Sequence, residues 1–517
     1  MGFDSIFVIC VLVLMIIALI KDRQRPGMIL FSAAVVFLCA GILKPKELLE
    51  GFSNKGMITV ALLYLVSEGV RRSGFLEVVL RKILPSARSG VRRAYRGMLP
   101  SIAFISAFLN NTPVVVIFAP MIKNWAERHR LAPSKFLIPL SYATILGGMC
   151  TLIGTSTNLV VDGLVIDAGF RGFTMFELGK VGVFIALAGL LYIYVFAPML
   201  LPDSRTPEDS ADADSVKGML NRVEVVLGAR FPAIGKRVSD YDFKEKFGAS
   251  VIEIRRDGKT ILMHDMRHVR FREGDTLVLA TDENFMKSWG ESSFFLLATD
   301  GREPEPKLSL WKRRTAITLL ILMIVGATIG ELPATKEAFP KVNLDMFFFA
   351  AVVTVVMAWL QIYPARKYTK HISWDIVVTI ASAFAISKAM MNSGMADAIA
   401  QLAISLTHNF GPYVLLAFIF IVTDLFTEVM TNNAAAALAF PISLSIAAHL
   451  GVSPTPFFVC ICMAASSSFS TPIGYQTNLI VQGIGGYKFS DFVRVGLPLN
   501  IISLILSVTL IPLFFPF

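Results

Sequence analysis

Charge is what this sequence has least of. Asp, Glu, Lys and Arg make up 17% of its 517 residues against 55% hydrophobic ones, where soluble domains run nearer a quarter charged. A wholly water-soluble fold is excluded. Cysteine is scarce too, and Cys10, Cys39, Cys150, Cys460 and Cys462 all fall inside apolar runs. There they read as small buried hydrophobes, indicating neither a disulfide framework nor a metal site. No phosphate-cradling Gly-rich loop, nucleophile elbow or His/Cys metal spacing is present, so no enzyme chemistry is legible. The lack of a TVGYG-like carbonyl filter argues against a channel. The first apolar run, Phe3–Ile20, has no basic region ahead of it and no small-residue cleavage pattern behind, and is expected to be a retained span. The net charge of +10 does not point to nucleic acid: residues 203–307 hold 17 Lys and Arg against 20 Asp and Glu, so the basic excess belongs to the apolar blocks on either side.

What is present is apolar sequence in spanning lengths. A transmembrane helix needs about 20 apolar residues, and candidates lie at 3–20, 26–43, 57–70, 136–160, 177–201, 315–331, 344–362, 374–390, 456–484 and 495–516. Two further stretches, 97–122 and 412–448, are broken by polar clusters and read as re-entrant helical hairpins. With the first terminus outside, the inside segments 21–25, 71–96, 123–135, 312–314, 366–370 and 488–494 collect 23 Lys and Arg, which puts the soluble block in the cytoplasm of a multi-pass protein of the bacterial inner (plasma) membrane. Within 71–96, basic residues alternate with Leu76, Val79, Leu80 and Ile83, the pattern of an amphipathic helix at the inner interface.

Five spans per half force the second half to insert upside down, so any repeat must be inverted. FLNNTPVVVIFAP (108–120) matches MTNNAAAALAFP (430–441) at a shift of 321, and GTSTNLVVDGL (154–164) matches GYQTNLIVQGI (474–484) at 320. Non-helical backbone is tolerated at membrane depth only where it is buried or lines a cavity. The amide-rich breaks therefore mark a site: Asn110, Asn111 and Thr112 at one tip, and Thr431, Asn432 and Asn433 at the other. Oxygens there suit a small hard cation, and helix N-termini suit an anion. Gly154–Asn158 and 470–478 break two more helices and complete each site from the opposite side.

These paired phrases resemble the divalent-anion/sodium symporter family, over about 400 residues and both halves in order. The resemblance implies a homodimer working as an elevator, with a scaffold and a moving unit in each protomer. It also implies Na+ as coupling ion, held by Asn111, Gly154, Asn158, Asn432, Gly474 and Asn478. Substrate contacts would come from Asn110, Asn111, Thr112, Thr431, Asn432, Asn433, Thr157 and Thr477. Asn110, Thr431 and Asn433 replace the family's Ser, Ser and Thr. GYQTNL and the inserted block look more like the sulfate-transporting branch than the dicarboxylate one, leaving a dicarboxylate symporter or a transporter-derived anion sensor as alternatives. The fold expected is an α-helical polytopic membrane protein of two inverted-topology repeats, 1–202 and 308–517, with a small α/β cytoplasmic domain at 203–307.

In that block VEVVLG (223–228), VIEI (251–254) and TLVLAT (276–281) read as strands and 240–247 as a short helix, between linkers at 202–214 and 301–307. It resembles a single TrkA-C-type domain, which implies dimerisation and a small-molecule ligand at the seam; Gly274-Asp275 reads as the turn before the last strand. The membrane carboxylates Glu68, Asp162, Asp424 and Glu428 are candidates for ion or proton roles, with Glu428 placed one helical turn before Thr431 to brace the second hairpin. His129 and His264 read as solvated. The other partners expected are the small anion and the lipid bilayer.

Overall fold

The computed structural model describes residues 2–21, 24–85, 90–203, 221–228, 230–256, 259–281, 285–290, 292, 294–299, 308–364, 368–369, 372–406 and 411–517. Side chains at 221, 262–264, 267, 287–288 and 406 are outside it. Both expected linkers fall wholly or mostly outside the described residues, as do the His264 side chain, Arg366, Lys367 and Lys370.

The first half runs α1 (Phe3–Ile20), α2 (Pro26–Cys39), α3 (Pro45–Ser53), α4 (Lys55–Arg72), α5 (Phe75–Ile83), α6 (Val91–Ser106), α7 (Asn111–Arg128), α8 (Leu137–Gly148), α9 (Ser156–Asp167) and α10 (Gly179–Leu200). After the soluble domain come α13 (Leu310–Gly330), α14 (Pro333–Ala338), α15 (Met346–Trp359), α16 (Trp374–Asn392), α17 (Met395–Leu406), α18 (Gly411–Val429), α19 (Asn432–Leu450), α20 (Thr455–Ser466), α21 (Gln476–Gly485) and α22 (Phe489–Phe514). Among the described residues seven helices are long and apolar enough to cross a membrane: α1, α10, α13, α16, α18, α19 and α22. Five of them present exposed apolar side chains outward, such as Leu14, Leu187, Leu322, Leu425 and Ile505, whereas α16 and α19 are mostly buried. In water such surface would be a liability; in a bilayer it is the lipid contact.

Two expected spans are each two helices. Stretch 136–160 is α8 and α9 with an irregular break between them, and 456–484 is α20 and α21 likewise. Hydropathy does not report the break, because its residues are small and only mildly polar. The hairpins α6–α7 and α18–α19 form around the expected tips, with arms of 16 and 18 residues in one and 19 each in the other. These are longer than the apolar runs because polar outer residues such as Arg92, Arg93 and His449 continue the helices. In α5, Leu76 and Leu80 are buried beneath a basic outer face, so the amphipathic pattern does form a helix.

The inverted repeat reaches well beyond the quoted motifs. Left-handed backbone recurs at Gly41 and Gln361, at Gly74 and Gly394, and at Arg130 and Gly451, in the same register of 320 to 321. Three chain reversals are thus duplicated, two of them, at Gly41 and Gln361 and at Arg130 and Gly451, by different residues.

The soluble domain is a five-stranded antiparallel sheet in the order β3-β2-β4-β1-β5. Its strands are β1 (Asn221–Leu227), β2 (Ser250–Arg256), β3 (Lys259–Leu262), β4 (Thr276–Thr281) and β5 (Phe295–Thr299), with short helices α11 (Phe243–Phe247) and α12 (Phe285–Trp289). β3 and β5 were not among the expected strands. β3 is only four residues long, and β5 only five. An aromatic core around Phe231, with Tyr241, Phe243, Phe247, Phe271 and Phe295, holds the helices on the sheet.

Candidate functional site

Four helices begin at one place. The N-terminal residues of α7, α9, α19 and α21 line a single cavity of about 1330 Å³. None of the four is capped by the side chain at its N-cap, Asn110, Thr155, Thr431 and Tyr475 respectively. Unpaired N–H groups and the positive ends of four helix dipoles therefore face the same space. Asn110, Asn111, Thr112, Thr157, Thr431, Asn432, Asn433 and Gly474 all line it. Each tip meets the break of the other half through a long polar contact, Ser156 Oγ to Asn433 Oδ1 at 3.3 Å and Thr112 Oγ1 to Gln476 Oε1 at 3.4 Å. The Thr431 hydroxyl is buried without a partner.

Behind this wall the halves build the same frame twice. Asn158 Nδ2 donates to the carbonyls of Gly148 (3.4 Å) and Thr151 (2.8 Å); Asn478 Nδ2 donates to those of Ser468 (2.9 Å) and Thr471 (3.1 Å). In both halves the amide reaches back 10 and 7 residues, tying the helix after the break to the break itself. Thr151 and Thr471 donate to Ala107 O and Glu428 O, anchoring each break to the first arm of its hairpin. Each tip asparagine faces a hydroxyl five residues earlier, Asn111 Oδ1 at 2.6 Å from Ser106 and Asn432 Oδ1 at 2.9 Å from Thr427. Space is tight: a Cβ on Gly154 would fall 2.6 Å from Gly148 O, and one on Gly474 2.2 Å from Thr427 O. Helix C-termini, break carbonyls and amide oxygens crowd together here, the donor set a sodium ion takes. One of these oxygens, Asn158 Oδ1, is buried without a hydrogen-bond partner.

Some residues stand differently from the expectation. Asn158, Asn478 and Gly154 are set behind the cavity. Thr477 faces Ser141 of α8, whose hydroxyl lies 2.9 Å away and also donates to Asn478 Oδ1 at 2.7 Å. Tyr475 and Thr155 were not singled out. Yet Tyr475 Oη takes the Asn111 amide hydrogen at 2.5 Å and lies 3.2 Å from Thr155 Oγ1, linking the second half's break to the first half's tip. The tyrosine stood in the GYQTN phrase, an aromatic hydroxyl where the other repeat has threonine. Glu68 is bound by Arg71 and Arg72 on its own helix, and Asp162 accepts from Phe173 N. Glu428 accepts from Ser470 N and so ties the second hairpin to the break in 470–478. His129 Nδ1 sits 2.8 Å from Trp125 O at the end of α7.

The soluble domain closes one side of the cavity. Arg255, Arg256, Lys259 and Arg272 line it together with Lys21 and Lys488 of the membrane halves. β1 and β5 lie against α21 and α7. Lys123 of α7 donates to Glu224 at 2.6 Å, and Arg255 shares that carboxylate at 3.1 Å. Burial pushes the Glu224 carboxyl up, but Lys123 and Arg255 outweigh it and hold it below the usual range. A Cβ on Gly483 of α21 would meet Thr276 Oγ1 at 2.6 Å.

Comparison with known proteins agrees with this architecture. The citrate transporter family model (CitMHS) matches residues 11–452 and 344–517. Over its length the chain is 29% identical to "Uncharacterized transporter sll0640" of Synechocystis, covering 93% of this chain and 92% of that one. It is 23% identical to "Probable sodium/sulfate cotransporter 3" of Chlamydomonas reinhardtii (97% and 87%). It is 21% identical to "Sodium-dependent dicarboxylate transporter SdcS" of Staphylococcus saprophyticus (91% and 78%). A family match spanning both membrane halves, on a fold whose repeats converge at broken helices, identifies the chain as a member of the citrate transporter family, a multi-pass membrane transporter and not an enzyme.

Proposed function

We propose that the protein is a sodium-coupled symporter of a small divalent anion, with sulfate as the preferred substrate. The observation that carries this reading is the convergence of four helix N-termini, uncapped by their N-cap side chains, on one cavity. Asn110, Thr112, Thr431 and Asn433 offer neutral donors there, and no Lys or Arg stands in the four broken segments, so nothing in those segments makes the bidentate clamp that a carboxylate favours; of the arginines on the opposite wall, Arg255 and Arg256 are paired with Glu224, Glu253 and Asp275. Sodium bound at Asn111 with Gly154 and Asn158, and at Asn432 with Gly474 and Asn478, would offset the anion's charge. Similarity to sodium/sulfate and sodium-dependent dicarboxylate transporters supports an anion and this ion. Residues 1–202 and 308–517 act as the two repeats of an elevator in each protomer of a homodimer. Residues 203–307, a TrkA-C-like unit able to take a small-molecule ligand, act as its regulator. The basic residues Lys21, Lys123 and Lys488 lie on the face that the domain covers, which by the positive-inside rule is the cytoplasmic face of a bacterial inner membrane. Competition tests the substrate. Excess unlabelled sulfate, thiosulfate or molybdate should suppress labelled sulfate uptake into proteoliposomes and succinate should not; equal competition by succinate would make the pocket a dicarboxylate site.

A further inference from the structure

The two halves build the same frame around the breaks, and one difference between them is charged. On α18 of the second half stand Asp424 and Glu428, one turn apart. The repeat register of 321 puts Ala103 and Ala107 in their places in the first half. On α22 stands Asn500. Gly182 and Gly496, which pack against the carbonyls of Met149 and Phe469 in the two breaks, set a register of 314 for the last helix of each half, with Pro198 and Pro512 in step; the counterpart of Asn500 is then Ala186. Three alanines have become two carboxylates and an amide. The frame needs none of them, since the first half builds it without.

The three groups touch. Asn500 Nδ2 lies 3.1 Å from both oxygens of Asp424 and 2.9 Å from Glu428 Oε1. Glu428 Oε1 also accepts from Ser470 N at 2.7 Å. The amide orientation follows from its surroundings, because the flipped form would aim a carbonyl oxygen at two carboxylates. That leaves Asn500 Oδ1, Glu428 Oε2 and Ser470 Oγ buried with no hydrogen-bond partner among the described residues; Asn500 is 5% exposed and Glu428 and Ser470 9%. Among the described residues no Lys, Arg or His forms an ion pair with either acid. Depth makes this acute. Asn500 lies five residues into the apolar run of α22 that begins at 495, about 8 Å along it and so inside a hydrocarbon layer about 30 Å thick. Two acids at that depth with no protein cation call for a positive ion from outside. A route exists, since Glu428 lines the same cavity as Thr431, Asn432 and Thr471.

We propose that Asp424, Glu428, Asn500 and Ser470 form a site for a small monovalent cation, present in the second half alone and additional to the two tip positions. Its occupancy would be felt at the second tip, because Glu428 is joined through Ser470 and Thr471 to the break that frames Asn432. The identity of the cation as sodium rests on the sodium-coupled reading above; the existence of the site does not. The test uses the purified full-length protein in detergent and follows thermal unfolding as NaCl replaces choline chloride at constant ionic strength, with KCl and LiCl as parallel probes. The expected result is a sodium-dependent rise in melting temperature whose midpoint moves up at least about tenfold in Glu428→Gln and in Asp424→Asn, the effect of withdrawing one buried charge from an ion. The Asn111→Ala protein should keep that Glu428-dependent component, which separates this site from the first tip. A triple change to Ala at 424, 428 and 500 copies the packing of the first half, so it should fold and lose the component entirely. Unchanged sodium midpoints in all three acid-site variants would overturn the proposal. So would a wild-type protein that no alkali cation stabilises but that acidification stabilises through Glu428, since the pair would then hold a proton. Because the readout is binding, a protein that fails to move sulfate yet shows this response refutes the transport reading and leaves the site standing.

Discussion

The two membrane halves differ less in their backbone than in what each adds to it. Both tie a break to its hairpin through a threonine, and both turn an asparagine amide back onto the break carbonyls at the same two spacings. The first half keeps its hairpin arm apolar and borrows a hydroxyl from Tyr475 of the second. The second meets its central asparagine with Thr427 of its own hairpin and carries an acidic pair. A duplicated frame supplies geometry twice over, and the differences between the copies show where each has its own task.

The strongest way to break the comparison is at the glycines. Gly474→Ala should abolish uptake, because its Cβ would lie 2.2 Å from Thr427 O and 2.3 Å from the Ser468 hydroxyl. Gly154→Ala should cost less, leaving about a tenth of the activity, since its nearest contact is 2.6 Å. Initial-rate uptake by reconstituted protein checks both; equal losses would say that the two sites are constrained alike. Next in size is Tyr475→Phe. Losing one hydrogen bond to Asn111 should raise the sodium concentration for half-maximal uptake by about three- to tenfold, with little change at the second tip. An unaltered sodium dependence would make the tie between halves merely structural.

Deleting 208–303 behind a flexible linker sharpens a different contrast, between the transport frame and the domain set across its cavity. Because the insertion falls between the two repeats, some uptake should remain while its regulation changes. The basic wall of Arg255, Lys259 and Arg272 goes with the domain, so the half-saturating sulfate concentration should also rise at low ionic strength and converge with wild type in high salt. If the deleted protein inserts yet binds no substrate, the domain belongs to the transport machinery. The smallest effect belongs to docking. Lys123→Met removes a largely buried partner of Glu224 and should loosen the domain by about 1 kcal/mol, seen as faster proteolysis or hydrogen exchange in β1. A carboxyl held below its ordinary value stabilises the docked form above the free-carboxylate pKa of about 4.3. That contribution is lost only as pH falls through the lowered value. Docking should therefore not vary with pH near neutrality through this group.

Much of this frame was legible in the sequence, for physical reasons. Asn-Asn pairs in long apolar runs are costly unless they do something, so 110–112 and 431–433 stood out, and the near-constant shift between motifs disclosed the repeat. Breaks made of Gly, Ser and Thr were visible only as motifs, since their hydropathy does not interrupt a span. Asn500 was not legible as a partner of Glu428, because 72 residues and three further helices separate them. A single asparagine on an apolar helix gives no hint of which neighbour it meets. The domain's place over the cavity was equally hidden, since Val226 and Leu297, which join the core of the membrane part, sit in strands whose apolar residues fit the domain's own core equally well.

The central claim, that the converging tips couple an anion to sodium, is tested most directly by sulfate uptake into proteoliposomes with and without an inward sodium gradient. Wild type, Asn111→Ala and Asn432→Ala should be compared side by side. Uptake should follow the gradient in wild type and vanish in each variant while both remain folded and monodisperse. Gradient-independent uptake in wild type, or unchanged sodium dependence in both variants, would contradict the account.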